Sequence, residues 1–113
     1  MSFHGASEAD IAAALDALRT TLTEELGDSL ERLVLYGSRA RGDHDPDSDI
    51  DIAVVIRGLD RTVKRRALEL VADVELEYLV PLSVLVLSEA DFRRLRAGER
   101  KIALDIEAEG VPL

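Results

Sequence analysis

Between Ser7 and Leu26 the apolar residues Ile11, Leu15, Leu18, Leu22 and Leu26 return every third or fourth position, with charged and small residues between them. That period marks one face of an amphipathic helix. Ser7 and Asp10 have the spacing of a capping box, and Gly27 stands where a helix commonly stops. Leu33-Val34-Leu35-Tyr36 is short and apolar throughout, which predicts a buried strand running directly into Gly37-Ser38. Arg39 to Ser48 is polar and carries Gly42 and an Asp45-Pro46 turn signal. Asp49 to Ile56 alternates acid and apolar before turning wholly apolar, so it predicts a second strand.

A loop with Gly58 follows, over Arg57 to Arg61. Val63, Ala67, Leu70, Val71, Val74 and Tyr78 then share one face of a second long helix. Pro81 closes that helix and opens a third strand, Leu82 to Leu87. Ser88 and Asp91 repeat the cap spacing ahead of a short helix to Arg96. Gly98 interrupts the chain, a last helix is expected over Glu99 to Glu109, and Gly110 ends it. Val111 to Leu113 has room for a short edge strand. The order helix, strand, strand, helix, strand, helix, helix, with no repeat or linker, predicts a single α/β domain over residues 1–113.

Composition narrows the classes. A chain of 113 residues is one small domain by size, burying roughly 65% of its unfolded surface. Its hydrophobic fraction of 47% excludes a disordered chain. The absence of cysteine excludes disulfide scaffolds, zinc thiolate sites and cysteine nucleophiles. Leu79 to Leu87, the longest apolar stretch, is too short to cross a bilayer. Met1 to Asp10 has no apolar run of the signal-peptide kind, so a soluble cytoplasmic protein without membrane contact is expected. With 23 acidic against 14 basic side chains the net charge is −9, which opposes unspecific binding to nucleic acid. Phe3, Tyr36, Tyr78 and Phe92 are the only aromatics and make no base-stacking platform.

The informative segment is Gly37-Ser38-Arg39-Ala40-Arg41-Gly42, followed by Ser48-Asp49-Ile50-Asp51-Ile52. A glycine directly after a strand lets a phosphate come close to the backbone. Ser38 adds a hydroxyl, and the N–H groups of the following turn attract anions. Asp49 and Asp51 are two apart, so on one strand they would share a face about 6.6 Å apart. Two carboxylates at that distance repel by roughly 2–3 kcal/mol at an effective dielectric of about 20. A divalent cation reverses the sign, and Mg²⁺ characteristically takes one or two carboxylates plus substrate phosphates.

Gly37-Ser38, ten residues, then Asp49-Ile50-Asp51 resembles the signature of the DNA polymerase β-type nucleotidyltransferase superfamily. Within it the chain most resembles the minimal nucleotidyltransferases (MNT), which pair with HEPN-domain partners in toxin–antitoxin modules. The resemblance covers nearly the whole chain and extends to Ser88-Glu89-Ala90-Asp91-Phe92 and to Ile106-Glu107-Ala108-Glu109-Gly110-Val111-Pro112-Leu113. It implies an α/β (α+β) fold: a small mixed sheet with helices packed on one side, and the Gly-Ser and Asp-x-Asp strands adjacent. It implies that Gly37 and Ser38 hold nucleotide phosphates, with Arg41 a further candidate, and that Asp49 and Asp51 are catalytic and ligate Mg²⁺. The implied reaction transfers AMP from ATP to an acceptor hydroxyl, and pyrophosphate leaves.

The departure is on the third strand. Relatives often carry a third carboxylate there, whereas Leu82-Ser83-Val84-Leu85-Val86-Leu87 has no acid, and Ser83 takes its apparent place. Glu75 or Glu77 on the preceding helix could reach in, but their spacing fits a solvated face. A hydroxyl is a poor substitute for a carboxylate in holding a metal or a proton.

Three functions therefore stand side by side. The first is adenylylation of a HEPN toxin, acting as antitoxin. The second is a binding module that neutralises its partner by contact, with a degenerate nucleotide site. The third, ranked below these, is an aminoglycoside nucleotidyltransferase working as a dimer. The small size calls for an acceptor that is itself small, or for a protein that brings its own docking surface, which favours the first. The alternating acids Asp43, Asp45, Asp47, Asp49 and Asp51 suggest a calcium loop, but Ser48 and Val54 stand where glycine and glutamate are needed. Arg57, Arg61, Lys64, Arg65 and Arg66, and Arg93, Arg94, Arg96, Arg100 and Lys101, read as solvated helix faces. His4 and His44 read as surface residues.

Overall fold

Ser7 opens the first helix as its spacing from Asp10 requires. In the computed structural model, which describes residues 6–113, the Asp10 N–H donates to the Ser7 hydroxyl at 3.1 Å, and the Ser7 N–H donates to the Asp10 carboxylate at 3.3 Å. Phe3 and His4 lie outside the described residues. Helix α1 spans Glu8–Leu26 and stops at Gly27, whose φ is 54°. One tight turn leads into strand β1, Leu30–Tyr36. The apolar run predicts its second half only. The first half, Leu30-Glu31-Arg32, is set by pairing with the far end of the next strand, through a bulge between Leu30 and Arg32.

A four-residue helix, α2 (Ser38–Arg41), and a polar loop come next. Strand β2 spans Asp51–Ile56, two residues shorter than its sequence pattern. The reason is its neighbour. Tyr36, the last residue of β1, pairs with Asp51, and Gly37 then turns β1 away, so Asp49 and Ile50 have no ladder on that side. Asp60 caps helix α3 (Arg61–Tyr78) by accepting from the Val63 N–H at 2.8 Å. The helix ends before Pro81, at Leu79, which adopts φ 55° and ψ 40°. Strand β3 is Ser83–Ser88, and the Ser88 hydroxyl caps α4 (Glu89–Ala97) by accepting from the Asp91 N–H at 3.0 Å. Helix α5 is Lys101–Glu109; it starts after Glu99 because that residue turns to positive φ. Strand β4 is Val111–Pro112.

The sheet has the order β3-β2-β1-β4. β1 is antiparallel to β2 and to β4, while β2 and β3 run parallel, joined through α3. This is the mixed sheet expected from the sequence, with the two motif-bearing strands side by side.

Its helices lie on both faces, which corrects the expectation of one-sided packing. α1 and α3 bury Ile11, Leu18, Leu22, Ala67, Leu70, Val71 and Val74 against Leu33, Ile52, Val54, Ile56 and Val86. α4 and α5 bury Phe92, Ala103 and Ile106 against Val34, Ala53 and Val55 on the opposite face. Strand β2 requires this: Ile52 to Ile56 are all buried, and a strand without a polar side needs cover on both. Among the described residues no helix is long and apolar enough to cross a membrane.

Candidate active site

Gly37 turns the chain from β1 into α2 with φ 76°. A Cβ added to it would stand 2.6 Å from Asp51 Oδ2. The missing side chain therefore makes room first for a carboxylate of the protein itself. The single turn of α2 closes when the Ala40 and Arg41 N–H groups donate to the Gly37 carbonyl at 3.1 and 3.2 Å. The N–H groups of Ser38 and Arg39 come before that first bond, where a helix leaves donors for an anion. Gly42 ends the turn at φ 80°.

Asp51 heads β2, with Tyr36 in register on one side and Ser83 on the other. Burial pushes its carboxyl above the ordinary aspartate range, and the charge of Asp49 pushes it further. A hydrogen bond from the Ser83 hydroxyl acts in the opposite sense. The Tyr36 phenol is raised in turn, by burial and then by the charges of Asp51 and Asp105. Asp49 is exposed and lies two positions ahead of Asp51, outside the strand that the sequence pattern extends to it. It is nevertheless close enough for its charge to act on Asp51.

Ser83 stands directly beside Asp51, at the position expected for a third acid. Among the described residues no group of three or more His, Cys, Asp or Glu side chains could hold a metal. What remains is a pair of carboxylates, one of them burdened by the other's charge beside a turn with free N–H donors. That donor set fits a hard cation that takes its other ligands from phosphate and water. Glu75 does not reach this pair. Its carboxylate accepts from the Leu82 N–H at 3.1 Å and fixes the chain entering β3, while Glu77 is exposed.

Two arginines exchange the importance their sequence positions suggest. Arg41 donates to Asp43 at 3.2 Å and to Glu109 at 3.1 Å, and both bonds hold its guanidinium more firmly charged. Its contacts thus tie the turn to the end of α5. Arg39, which the sequence did not single out, has a side chain only 6% exposed. It donates to the Ser48 carbonyl at 3.1 Å, the Pro46 carbonyl at 3.4 Å and Glu8 at 3.4 Å. These bonds hold the loop just before Asp49 against the start of α1. The available signal was an arginine directly after Gly-Ser with a run of aspartates downstream. His44 is half-buried, with Nε2 3.6 Å from Glu8, which corrects its assignment to the open surface.

Beside Asp49 and Ser83 lies a cavity of about 360 Å³. Ile11, Ile50, Val80 and Leu82 give it an apolar lining, and Arg39 and Ser48 contribute polar atoms. The site therefore joins a turn suited to anions, a carboxylate pair and a partly apolar hollow.

A family profile described as "Nucleotidyltransferase domain" matches residues 15–108. A Methanocaldococcus jannaschii protein named "Putative protein adenylyltransferase" is 26% identical over 78 residues, covering 68% of this chain and 79% of that one. The crystal structure of "a putative nucleotidyltransferase from Sulfolobus solfataricus" is similar, with a TM-score of 0.47 and 24% identity over 96% of this chain and 88% of that one.

Proposed function

The chain belongs to the nucleotidyltransferase domain family, and on that footing we propose that it transfers AMP from ATP to a hydroxyl of a partner protein, as an antitoxin acting on a HEPN toxin. The family assigns the enzyme class, whose members generally use a nucleoside triphosphate and a divalent metal. The acceptor is drawn from the resemblance to minimal nucleotidyltransferases and from the relative named as a protein adenylyltransferase. The observation that carries the proposal is Asp51, seated against Gly37 at the head of β2 with Asp49 close by.

Each residue has a distinct task. Gly37 and Ser38 receive the phosphates, through the open approach at Gly37, the Ser38 hydroxyl and the leading N–H groups of α2. Asp49 and Asp51 would hold Mg²⁺, which when bound supplies positive charge to the reacting phosphate. Arg39 keeps the Asp49 loop in place. The acceptor oxygen forms a bond to the α-phosphorus, and the bond from that phosphorus to the β-bridging oxygen breaks. Pyrophosphate leaves with the electron pair, and the hydroxyl proton passes to solvent or to a carboxylate. Because β3 has no acid, no third carboxylate stands ready to take that proton.

That same absence favours a second reading, a module that neutralises its partner by contact and retains the site without turnover. Thermal unfolding with and without ATP and Mg²⁺, on the wild type and Asp49→Asn, separates a working site from a vestigial one. Ligand at a hundred times its dissociation constant adds about 2.7 kcal/mol. The proposal expects a magnesium-dependent rise that Asp49→Asn removes, and transfer of labelled AMP to a co-purified partner. No rise with any nucleoside triphosphate overturns the enzymatic reading. Neutralisation that survives Asp49→Asn establishes the contact reading.

A further inference from the structure

The sequence holds two basic clusters, and the structure treats them differently. The cluster on α4 and α5 is answered by carboxylates of the same two helices. Arg93 pairs with Glu89, Arg94 with Asp91, Arg96 with Glu107 and Lys101 with Asp105. Arg94 and Arg96 also stand in the last turn of α4, where the helix dipole favours cations. The fold accounts for that cluster by itself.

The cluster at the start of α3 is different. Arg66 is held by Glu25 at 2.8 Å and by Glu69 at 3.5 Å. Arg61, Lys64 and Arg65 are exposed and, among the described residues, pair with no carboxylate. The acids next to them in sequence are engaged elsewhere: Asp60 accepts from the Val63 N–H, and Glu69 takes Arg66. Arg61 is one helical turn from both Lys64 and Arg65, so the three charges adjoin and repel. They also lie towards the positive end of the helix dipole, with no acid in the first turn to offset it. By contrast, Glu8 and Asp10 stand in the first turn of α1, and Glu89 and Asp91 in that of α4. In a chain with 23 acidic side chains, three cations are thus gathered where they gain the isolated domain nothing.

Their place sets them apart from the nucleotide chemistry. α3 follows the loop beyond Ile56, the last residue of β2, whereas Asp51 stands at the other end of that strand. Their surroundings identify what fits. Arg61, Lys64 and Arg65 lie around a recess that Leu68 and Ala72 also line, both exposed. A long polyanion continuing along α3 would run onto the exposed Asp73 and Glu77. A short run of carboxylates followed by apolar side chains meets the cations first and Leu68 and Ala72 next.

We propose that the first half of α3 docks an acidic amphipathic segment of a partner protein, its carboxylates on Arg61, Lys64 and Arg65 and its apolar side chains on Leu68 and Ala72. The surface is separate from the Gly37 and Asp51 site, so its test needs no ATP, metal or acceptor.

Fluorescence anisotropy reads the proposal, with a labelled peptide in which a run of glutamates precedes leucines spaced along one helix face. The full chain should bind this peptide, and more weakly as salt is raised. Arg61→Gln/Lys64→Gln/Arg65→Gln should weaken binding by about tenfold or more, the loss of roughly 1.4 kcal/mol. The same variant should unfold at a higher temperature than the wild type, because it is relieved of the repulsion among the three cations. Its lost binding is then not lost folding. Control probes fix the partner's chemistry: the peptide with glutamine for glutamate, the peptide with serine for leucine, and a labelled single-stranded DNA. Each should bind about tenfold more weakly or worse. No binding of the acidic peptide, or binding that the triple variant retains, overturns the proposal. A control that binds as tightly as the acidic peptide overturns it too, the DNA in favour of a nucleic-acid surface. A lower Tm of the triple variant shows the cations supporting the fold and overturns the premise.

Discussion

The Oδ2 of Asp51 occupies space that any side chain on Gly37 would need, only 2.6 Å from an ideal Cβ. The glycine of one motif and the second aspartate of the other are thus a single fitted pair, brought together by the pairing of β1 with β2.

Gly37→Ala should therefore be costly twice over, through its φ of 76° and through displacement of the Asp51 carboxylate. A loss on the order of 2–3 kcal/mol is expected in urea unfolding. In an Asp51→Ala background the same change should cost less, leaving mainly the backbone strain. The difference in the double-mutant cycle measures the fit.

Asp51 makes a prediction about pH. Its carboxyl is raised by burial and by Asp49, so the folded protein holds that proton more tightly than the unfolded chain does. Stability from this group is complete below the unfolded aspartate pKa of about 3.9 and is lost as pH rises through the higher folded value. Without metal, Asp51→Asn should raise Tm at neutral pH, because the amide carries no charge for burial and Asp49 to penalise. The gain should vanish in acid. Added Mg²⁺ should stabilise the wild type and leave the variant unmoved.

Ser83→Asp would place a third carboxylate in register beside Asp51. The expected outcome is a lower Tm without divalent cation and a larger Mg²⁺-dependent rise than the wild type shows. Calorimetric titration with Mg²⁺ and ATP reads the same change as tighter binding.

Arg39→Ala removes three bonds that hold the loop carrying Ser48 and Pro46. It should cost roughly 1–3 kcal/mol, since two carbonyls and a carboxylate lose a charged donor. Arg39→Lys should not restore the loop, because an ammonium cannot fork to three acceptors. In both variants the stabilisation by Mg²⁺ and ATP should fall, measured against the wild type at equal ligand.

What was legible in the sequence was local. Ser7 with Asp10 and Ser88 with Asp91 announce helix starts because each cap closes within three residues. The alternation around Ile50 and Ile52 correctly marks the core side of the second motif. Strand limits were less legible, since Leu30 is set by Ile56 and Asp51 by Tyr36, partners 26 and 15 residues away. The second helical layer follows from five consecutive buried residues in β2, a pattern the sequence shows but does not assign to two faces. Arg39 was invisible for the same reason: its contact with Glu8 spans 31 residues.

Asp51 begins a strand whose next five residues are buried, whereas Asp49 lies two positions earlier and outside the ladder. Amide hydrogen exchange should register that boundary sharply. From Ile52 onward, exchange should await global unfolding, while the amide of Asp49 should open through local fluctuation. The two carboxylates are thus mounted on backbones of unequal compliance. One is a fixed post, and the other is an arm free to follow what it grips and to let go.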